Sequence, residues 1–354
     1  MIKSNYSVIG VMSGTSLDGI DLAHIDFEFD NLWTFKINNA ETIPYTNFWY
    51  TKLSNLINQD LNSLKVIDKD YTIYLSKVIN NFIKKFQLTH IHAICSHGHT
   101  ALHQPDKGLT YQIGNLKQIA DLTQQNVVCD FRVQDVELGG QGAPLVPIGD
   151  QVLFSEYNFC INLGGFANIS FESHNNRIAF DICPVNIVLN YYSKKIGLDF
   201  DANGNIASEG QVNLSLLHDL NTLDFYKLEP PKSLGLEWVN SNVIPLIDRY
   251  QLQVKDILRT VVEHIAIQIN SILKQKPKTS VLVTGGGVYN TFLMNRLKEV
   301  SQNEIKIPSK EIIEYKEALI FGLLGVLKLR NDINCLASVT GARRNHSSGK
   351  IYLF

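Results

Sequence analysis

Residues 8–26, VIGVMSGTSLDGIDLAHID, set hydroxyls, glycines and acids between two apolar runs. The pattern predicts strand, turn, strand, with Gly14, Thr15, Ser16, Leu17, Asp18, Gly19, Ile20 and Asp21 at or beside the tip. Glycines 14 and 19 can take positive φ and let a phosphate approach bare backbone, and the hydroxyls of Ser13, Thr15 and Ser16 can donate to its oxygens. Asp18 and Asp21 could hold Mg²⁺ through water. Such a tip suits a nucleotide phosphate, and an ordinary hairpin turn rich in turn-formers fits the same residues.

Two further glycine turns offer related chemistry. Gly164 and Gly165, with Asn168 beyond them, lie between apolar runs in FCINLGGFANISF, and Gly285, Gly286 and Gly287 follow the apolar stretch Val281–Val283. A glycine turn between strand and helix lets base and ribose lie against the main chain. The P-loop pattern GxxxxGK[ST] is absent, as are GxGxxG after a strand, HExxH and GxSxG. A bound nucleotide would therefore be held by hairpin tips and glycine turns.

Asp181 ends the apolar run Ile178-Ala179-Phe180 and precedes a helix expected from Asn186. It is the best candidate general base, and a helix-capping carboxylate is the other reading. Arg132 follows the short strand Val127–Cys129 and offers a planar fork for a substrate carboxylate, with Asp135 close behind; a surface ion pair with Asp130 or Asp135 is the alternative. His97, His99 and His103 form a metal cluster by residue type, but a hydrogen bond to a sugar hydroxyl is the preferred role for a histidine at this strand end. The stretch Asp199–Gly210 imitates a calcium loop and fails at its last ligand, where Gly210 stands.

These residues need elements to position them. After the opening hairpin, Trp33–Thr42 reads as a strand, and Phe48–Leu61 and Asp70–Phe86 carry helical spacing. Ile91–Cys95 is a buried strand running into Ser96-His97-Gly98-His99. The glycine- and proline-rich stretch 138–147 reads as a functional loop and a seam. From Phe159 the opening logic begins again: hairpin, third strand at Ile178–Asp181, helices, then a strand, the Gly285 turn and a closing helix at Glu314–Leu329. The fold class expected is α/β, two RNase H-like domains flanking a cleft, with boundaries at 1–140 and 141–335 and a tail at 336–354 packing back on the first domain.

With 354 residues the chain can bury large cores without staples, and a formal net charge of −2 with 19% charged residues gives no sign of a nucleic-acid partner. No stretch is apolar enough to span a bilayer and the first residues lack a signal-peptide core, so no membrane partner and a cytoplasmic location are expected. Five scattered cysteines, none in CxxC spacing, read as reduced thiols.

In order along the chain, GVMSGTSLDGID, SHGHTALHQP, YQIG, DFRVQD, GGQGAPLVP, NLGGFANIS, PPKSLGLEW, TGGGVYN, KEALIFG and SVTGA resemble the motifs of anhydro-N-acetylmuramic acid kinases, in the actin, Hsp70 and sugar-kinase superfamily. The resemblance implies an ATP- and Mg²⁺-dependent enzyme of cell-wall recycling that opens the 1,6-anhydro ring with water and phosphorylates O6, giving N-acetylmuramic acid 6-phosphate. It further implies ATP contacts from Gly14–Asp21 and the two later glycine turns, Asp181 as the base, sugar contacts from His97, Arg132, Asp135 and Gly142, and a homodimer. Asp181-Ile182-Cys183-Pro184-Val185-Asn186 stands where the family reads D-T-G-P-G/A-N, and bulk at Val185 is expected to narrow the sugar pocket or to change which sugar fits. A kinase for a related amino sugar or uronic acid, and a non-catalytic ATP-binding homologue, are the alternatives.

Overall fold

The computed structural model describes residues 3–14 and 17–354. Thr15 and Ser16, both expected at a phosphate site, lie outside the described residues. By its contacts the chain divides into two units, one holding the chain up to Leu153 together with Tyr315–Phe354, the other Phe154–Glu314. The glycine- and proline-rich stretch and the closing segment place the expected seams after 140 and 335. The observed division falls after Leu153 and within the helix Lys310–Arg330.

The first unit opens as an antiparallel meander of β1 (Asn5–Ser13), β2 (Ile20–Asp30) and β3 (Leu32–Ile43). The helices Asn47–Ser54 and Leu61–Lys85 follow. Asp60 starts the longer one by accepting from the Asn62 and Ser63 amides, and its face of Leu64, Tyr71, Leu75, Ile79 and Phe82 is buried at helical spacing. Next come β4 (Ala93–Ser96), parallel to β1, the separate hairpin of β5 (His99–Gln104) and β6 (Leu109–Ile113), and β7 (Val127–Cys129), parallel to β4.

The second unit repeats the plan. Strands β8 (Phe159–Leu163), β9 (Phe166–Ser173) and β10 (Asn176–Pro184) form an antiparallel meander, β11 (Ser280–Thr284) lies parallel to β8, and β12 (Glu304–Lys306) parallel to β11. A last strand, β13 (Lys350–Tyr352), returns to the first unit and pairs with β7. The strand orders are β13-β7-β4-β1-β2-β3 and β10-β9-β8-β11-β12. Both sheets therefore contain a meander whose first strand is central and joined to two parallel strands, the RNase H-like order, present twice.

Central position explains the continuous apolar runs. Val8, Ile9 and Val11 in β1, and Phe159, Cys160 and Ile161 in β8, are buried, as strands covered on both faces must be. Gly10 is needed where β1 meets the helix Lys310–Arg330, because a Cβ there would collide with the Ala318 carbonyl oxygen. In the second unit the helix Val254–Leu273 buries Leu258, Val262, Ile265 and Ile269 in the main core. No described helix is long and apolar enough to cross a membrane.

Candidate functional site

The tip of β1 is held from below by a buried hydroxyl cluster. Ser13 Oγ lies 2.5 Å from the Tyr45 hydroxyl and 2.8 Å from both the Tyr71 hydroxyl and His99 Nδ1, and the two tyrosines are 2.8 Å apart. Burial holds His99 neutral, with its pKa drawn down to about 4, and pushes Tyr45 up to about 12. Ser13 is thereby a supporting residue, turned inward. Beyond it the Leu17 amide donates to the Gly14 carbonyl and Leu17 takes a positive φ of 62°. Asp18 is exposed, Gly19 and Ile20 are buried against β3, and Asp21 accepts from the Thr42 hydroxyl at 2.6 Å.

Five residues gather at the ends of β4 and β7. His97 is buried; its Nδ1 faces the Gly98 carbonyl at 2.9 Å and so carries the proton, leaving Nε2 to accept from Arg132 Nε at 2.9 Å. Burial and the Arg132 charge hold His97 well below the ordinary histidine range. Arg132 Nη1 donates to the Gly142 carbonyl at 2.6 Å, while Nη2 has no hydrogen-bond partner among the described residues. Arg132 is partly buried in dense surroundings, and burial lowers its pKa to about 10, so it stays charged at neutral pH.

Asp135 is fully buried. Its Oδ2 accepts from the Gly142 amide at 2.7 Å, and Oδ1 accepts from the Thr340 hydroxyl at 2.8 Å and faces the Cys335 thiol at 3.1 Å. Asp135 thus stands behind the Gly142 loop and braces it from within. Glu317, which the reading of single residues passed over, belongs to this group. It has exposed surface, yet the protein around it raises its pKa, Arg132 lowers it and Asp21 raises it again. The signal that could have found it is its place in KEALIFG.

In the second unit β10 delivers Asp181. A bulge between Asp181 and Cys183 breaks the register with β9 and re-aims the strand end. The Asp181 amide donates to the Lys232 carbonyl, and Oδ2 accepts from the Leu234 amide at 2.8 Å; Oδ1 has no hydrogen-bond partner among the described residues. Burial raises the carboxyl pKa and the Leu234 amide opposes it. Asn168 is exposed and sits directly across from Asp181 in the sheet, in the same row as Asn162 and Thr284, the residue before Gly285.

The glycine turns have distinct roles. The carbonyls of Gly164 and Gly165 accept from the amides of Val185, Asn186 and Ile187, so this turn caps the helix Asn186–Lys194. Gly285 has φ +85°, and a Cβ on it would press on the Leu163 carbonyl; Gly287 is likewise tight against Leu163. Gly286 differs from both: a Cβ there would meet nothing within 4 Å. This opening in the main chain beside a strand end is where a ligand can lie against backbone.

The family model for anhydro-N-acetylmuramic acid kinase matches residues 6–353. The chain belongs to the anhydro-N-acetylmuramic acid kinase family. Relatives bearing that name include one from Pasteurella multocida, 36% identical over 376 residues, covering 99% of this chain and 98% of the relative. Another, from Haemophilus influenzae, is 33% identical over 375 residues and covers 97% of each. There is also a structural likeness to component A of the (R)-2-hydroxyglutaryl-CoA dehydratase of Acidaminococcus fermentans, at TM-score 0.47 and 12% identity, over 92% of this chain and 99% of that one. Within the kinase family, this chain's departures after Asp181 are core residues. Ile182, Cys183 and Val185 are all buried in the hydrophobic core of the second unit, with Val185 fully enclosed. The expected narrowing of a sugar pocket by Val185 is therefore corrected: the isopropyl group packs inward.

Proposed function

We propose that this chain is an ATP-dependent kinase that opens the 1,6-anhydro ring of anhydro-N-acetylmuramic acid with water and phosphorylates O6, producing N-acetylmuramic acid 6-phosphate and ADP. Beside family membership, the observation that carries this reading is Asp181, a half-buried carboxylate at a bulged strand end, anchored through Oδ2 by the Leu234 amide with Oδ1 unengaged. Water attacks C1 as Asp181 Oδ1 takes its proton; the C1–O6 bond breaks, and O6 takes the γ-phosphoryl group. A carboxyl whose pKa is raised by burial is a better proton acceptor than an exposed aspartate.

Arg132 is the residue best suited to the sugar's lactyl carboxylate, since Nε and Nη1 are fixed by His97 and Gly142 while Nη2 remains to donate. His97, Asp135 and Gly142 act through Arg132 and its loop. In the second unit the open main chain at Gly286 fits a nucleotide and the Gly164–Gly165 turn caps the helix Asn186–Lys194, while in the first unit Gly14 and Gly19 are suited to phosphate. Asp18 and Asp21 offer the hard oxygen ligands that suit Mg²⁺, which when bound neutralises phosphate charge. The reading is tested by a coupled assay for ADP release with Mg·ATP and anhydro-N-acetylmuramic acid, and by mass analysis of the product. Nucleotide binding without a sugar phosphate product would overturn it in favour of a non-catalytic ATP-binding protein.

A further inference from the structure

Cys335 and His346 form an antiparallel bridge away from the named strands, exchanging both amide-to-carbonyl hydrogen bonds at 3.1 and 3.2 Å. A hydrogen-bonded antiparallel pair projects both side chains to one side. They meet Asp135, carried by the helix Val133–Glu137. All three residues are buried, and one ligand atom from each lies within 4.8 Å of the others.

The histidine's tautomer is decided by its neighbours. His346 Nδ1 faces the Arg344 carbonyl at 3.1 Å, and a carbonyl only accepts, so Nδ1 carries a proton. Nε2 is buried with no hydrogen-bond partner among the described residues, and it faces Asp135 Oδ1 at 3.6 Å. Two acceptors opposed in a dry interior call for a cation between them, either a second ring proton or a metal ion. The Cys335 thiol, 3.1 Å from the same Oδ1, turns this gap into a three-sided site.

We propose that Asp135, Cys335 and His346 bind a zinc-class divalent cation. Bonds of about 2.0–2.3 Å at tetrahedral angles separate neighbouring ligand atoms by about 3.3–3.5 Å, close to the 3.1 Å from Cys335 Sγ and the 3.6 Å from His346 Nε2 to Asp135 Oδ1, with the sulfur and Nε2 within 4.8 Å of each other. Soft thiolate and imidazole ligands select zinc over magnesium or calcium. On binding, Cys335 releases its thiol proton to solvent, and Zn²⁺ with one thiolate and one carboxylate carries no net charge, the condition for a buried ion. The Arg344 carbonyl supplies the outer hydrogen bond that orients a metal-bound imidazole. A water or the Thr340 hydroxyl completes the tetrahedron. The site is independent of the kinase reading, although Asp135 Oδ2 ties it to the Gly142 amide, one peptide group from the arginine arm.

The test uses the full chain stripped of metal and titrated with Co²⁺, then with Zn²⁺ in competition with a chromophoric chelator. One equivalent of Co²⁺ should bind with a thiolate-to-cobalt charge-transfer band. Cys335→Ser should remove that band, and His346→Gln should weaken Zn²⁺ binding at least about a hundredfold. X-ray absorption of the zinc-loaded wild-type chain needs no variant and should show one sulfur neighbour and an imidazole. Zinc without a sulfur neighbour, no thiolate band, or equal zinc affinity in a folded Cys335→Ser/His346→Gln double variant would each overturn the proposal.

Discussion

Arg132 Nε donates to His97 Nε2 at 2.9 Å, so the histidine read from the sequence as a sugar ligand is an acceptor for the arginine. With its other nitrogen turned to the Gly98 carbonyl, the ring has both polar atoms engaged inside the protein. Its contribution lies in aiming the guanidinium.

Replacing His97 by alanine should therefore weaken sugar binding more than it slows the bound complex. A hydrogen bond to a charged group contributes about 1.5–3 kcal/mol, or about ten- to a hundredfold in kcat/KM, expressed chiefly in the KM for sugar. Steady-state kinetics at varied sugar decide it; a fall confined to kcat would assign His97 to the chemistry itself.

Asp181→Asn should lower kcat at least about a hundredfold, the lower range for loss of a general base, with nucleotide affinity retained. The base works only when ionised, and burial raises its pKa, so the rate should climb with pH through a point above the ordinary aspartate value of 3.8. A pH profile of the residual activity in Asp181→Asn should lack that acid limb. An unchanged limb would mean that another carboxyl is the base.

Gly285 and Gly286 are neighbours with opposite demands. Gly285→Ala places a side chain at φ +85° against the Leu163 carbonyl and should cost stability, about 1–3 kcal/mol from the positive-φ, extended-ψ backbone alone. Gly286→Val meets no protein atom near its Cβ and should leave the melting temperature nearly intact while raising the KM for ATP. Thermal melts beside ATP titrations separate the two; unaltered ATP binding in Gly286→Val would remove this turn from the nucleotide site.

Stability should decline on acidification. His99 has a folded pKa of about 4 against 6.5 when unperturbed, and His264 about 3, in both cases through burial. Between these values the unfolded chain binds protons that the folded one refuses, so stability rises with pH across this window and is complete above about 6.5. Melting temperatures from pH 7 down to 4 should fall, and His99→Gln should flatten the slope. An equally steep slope in that variant would place the acid sensitivity elsewhere.

Much of the architecture was legible because both hairpins and the long helices are repeated apolar patterns. The strand Val127–Cys129 has the bounds its apolar run predicts, and the closing helix expected at Glu314–Leu329 is observed at Lys310–Arg330. The two-domain plan followed from the echo of Val8–Asp26 in Phe159–Phe171. The seams were less legible, since the helix Lys310–Arg330 has no break in its sequence where its contacts pass from one unit to the other.

The sequence by itself determined the family and the α/β class, because residue type, apolar period and motif order are properties of the chain, and it named the side chains that could do chemistry. Only the tertiary structure decided which way those side chains face. Ser13 turns to Tyr45 and Tyr71, Asp135 turns to Cys335 and Thr340, and Val185 enters the core, while Asp181 Oδ1 and Arg132 Nη2 stay unengaged. The reason is that orientation depends on partners far away in sequence: Asp135 meets Thr340 across 205 positions, and no local spacing records that meeting.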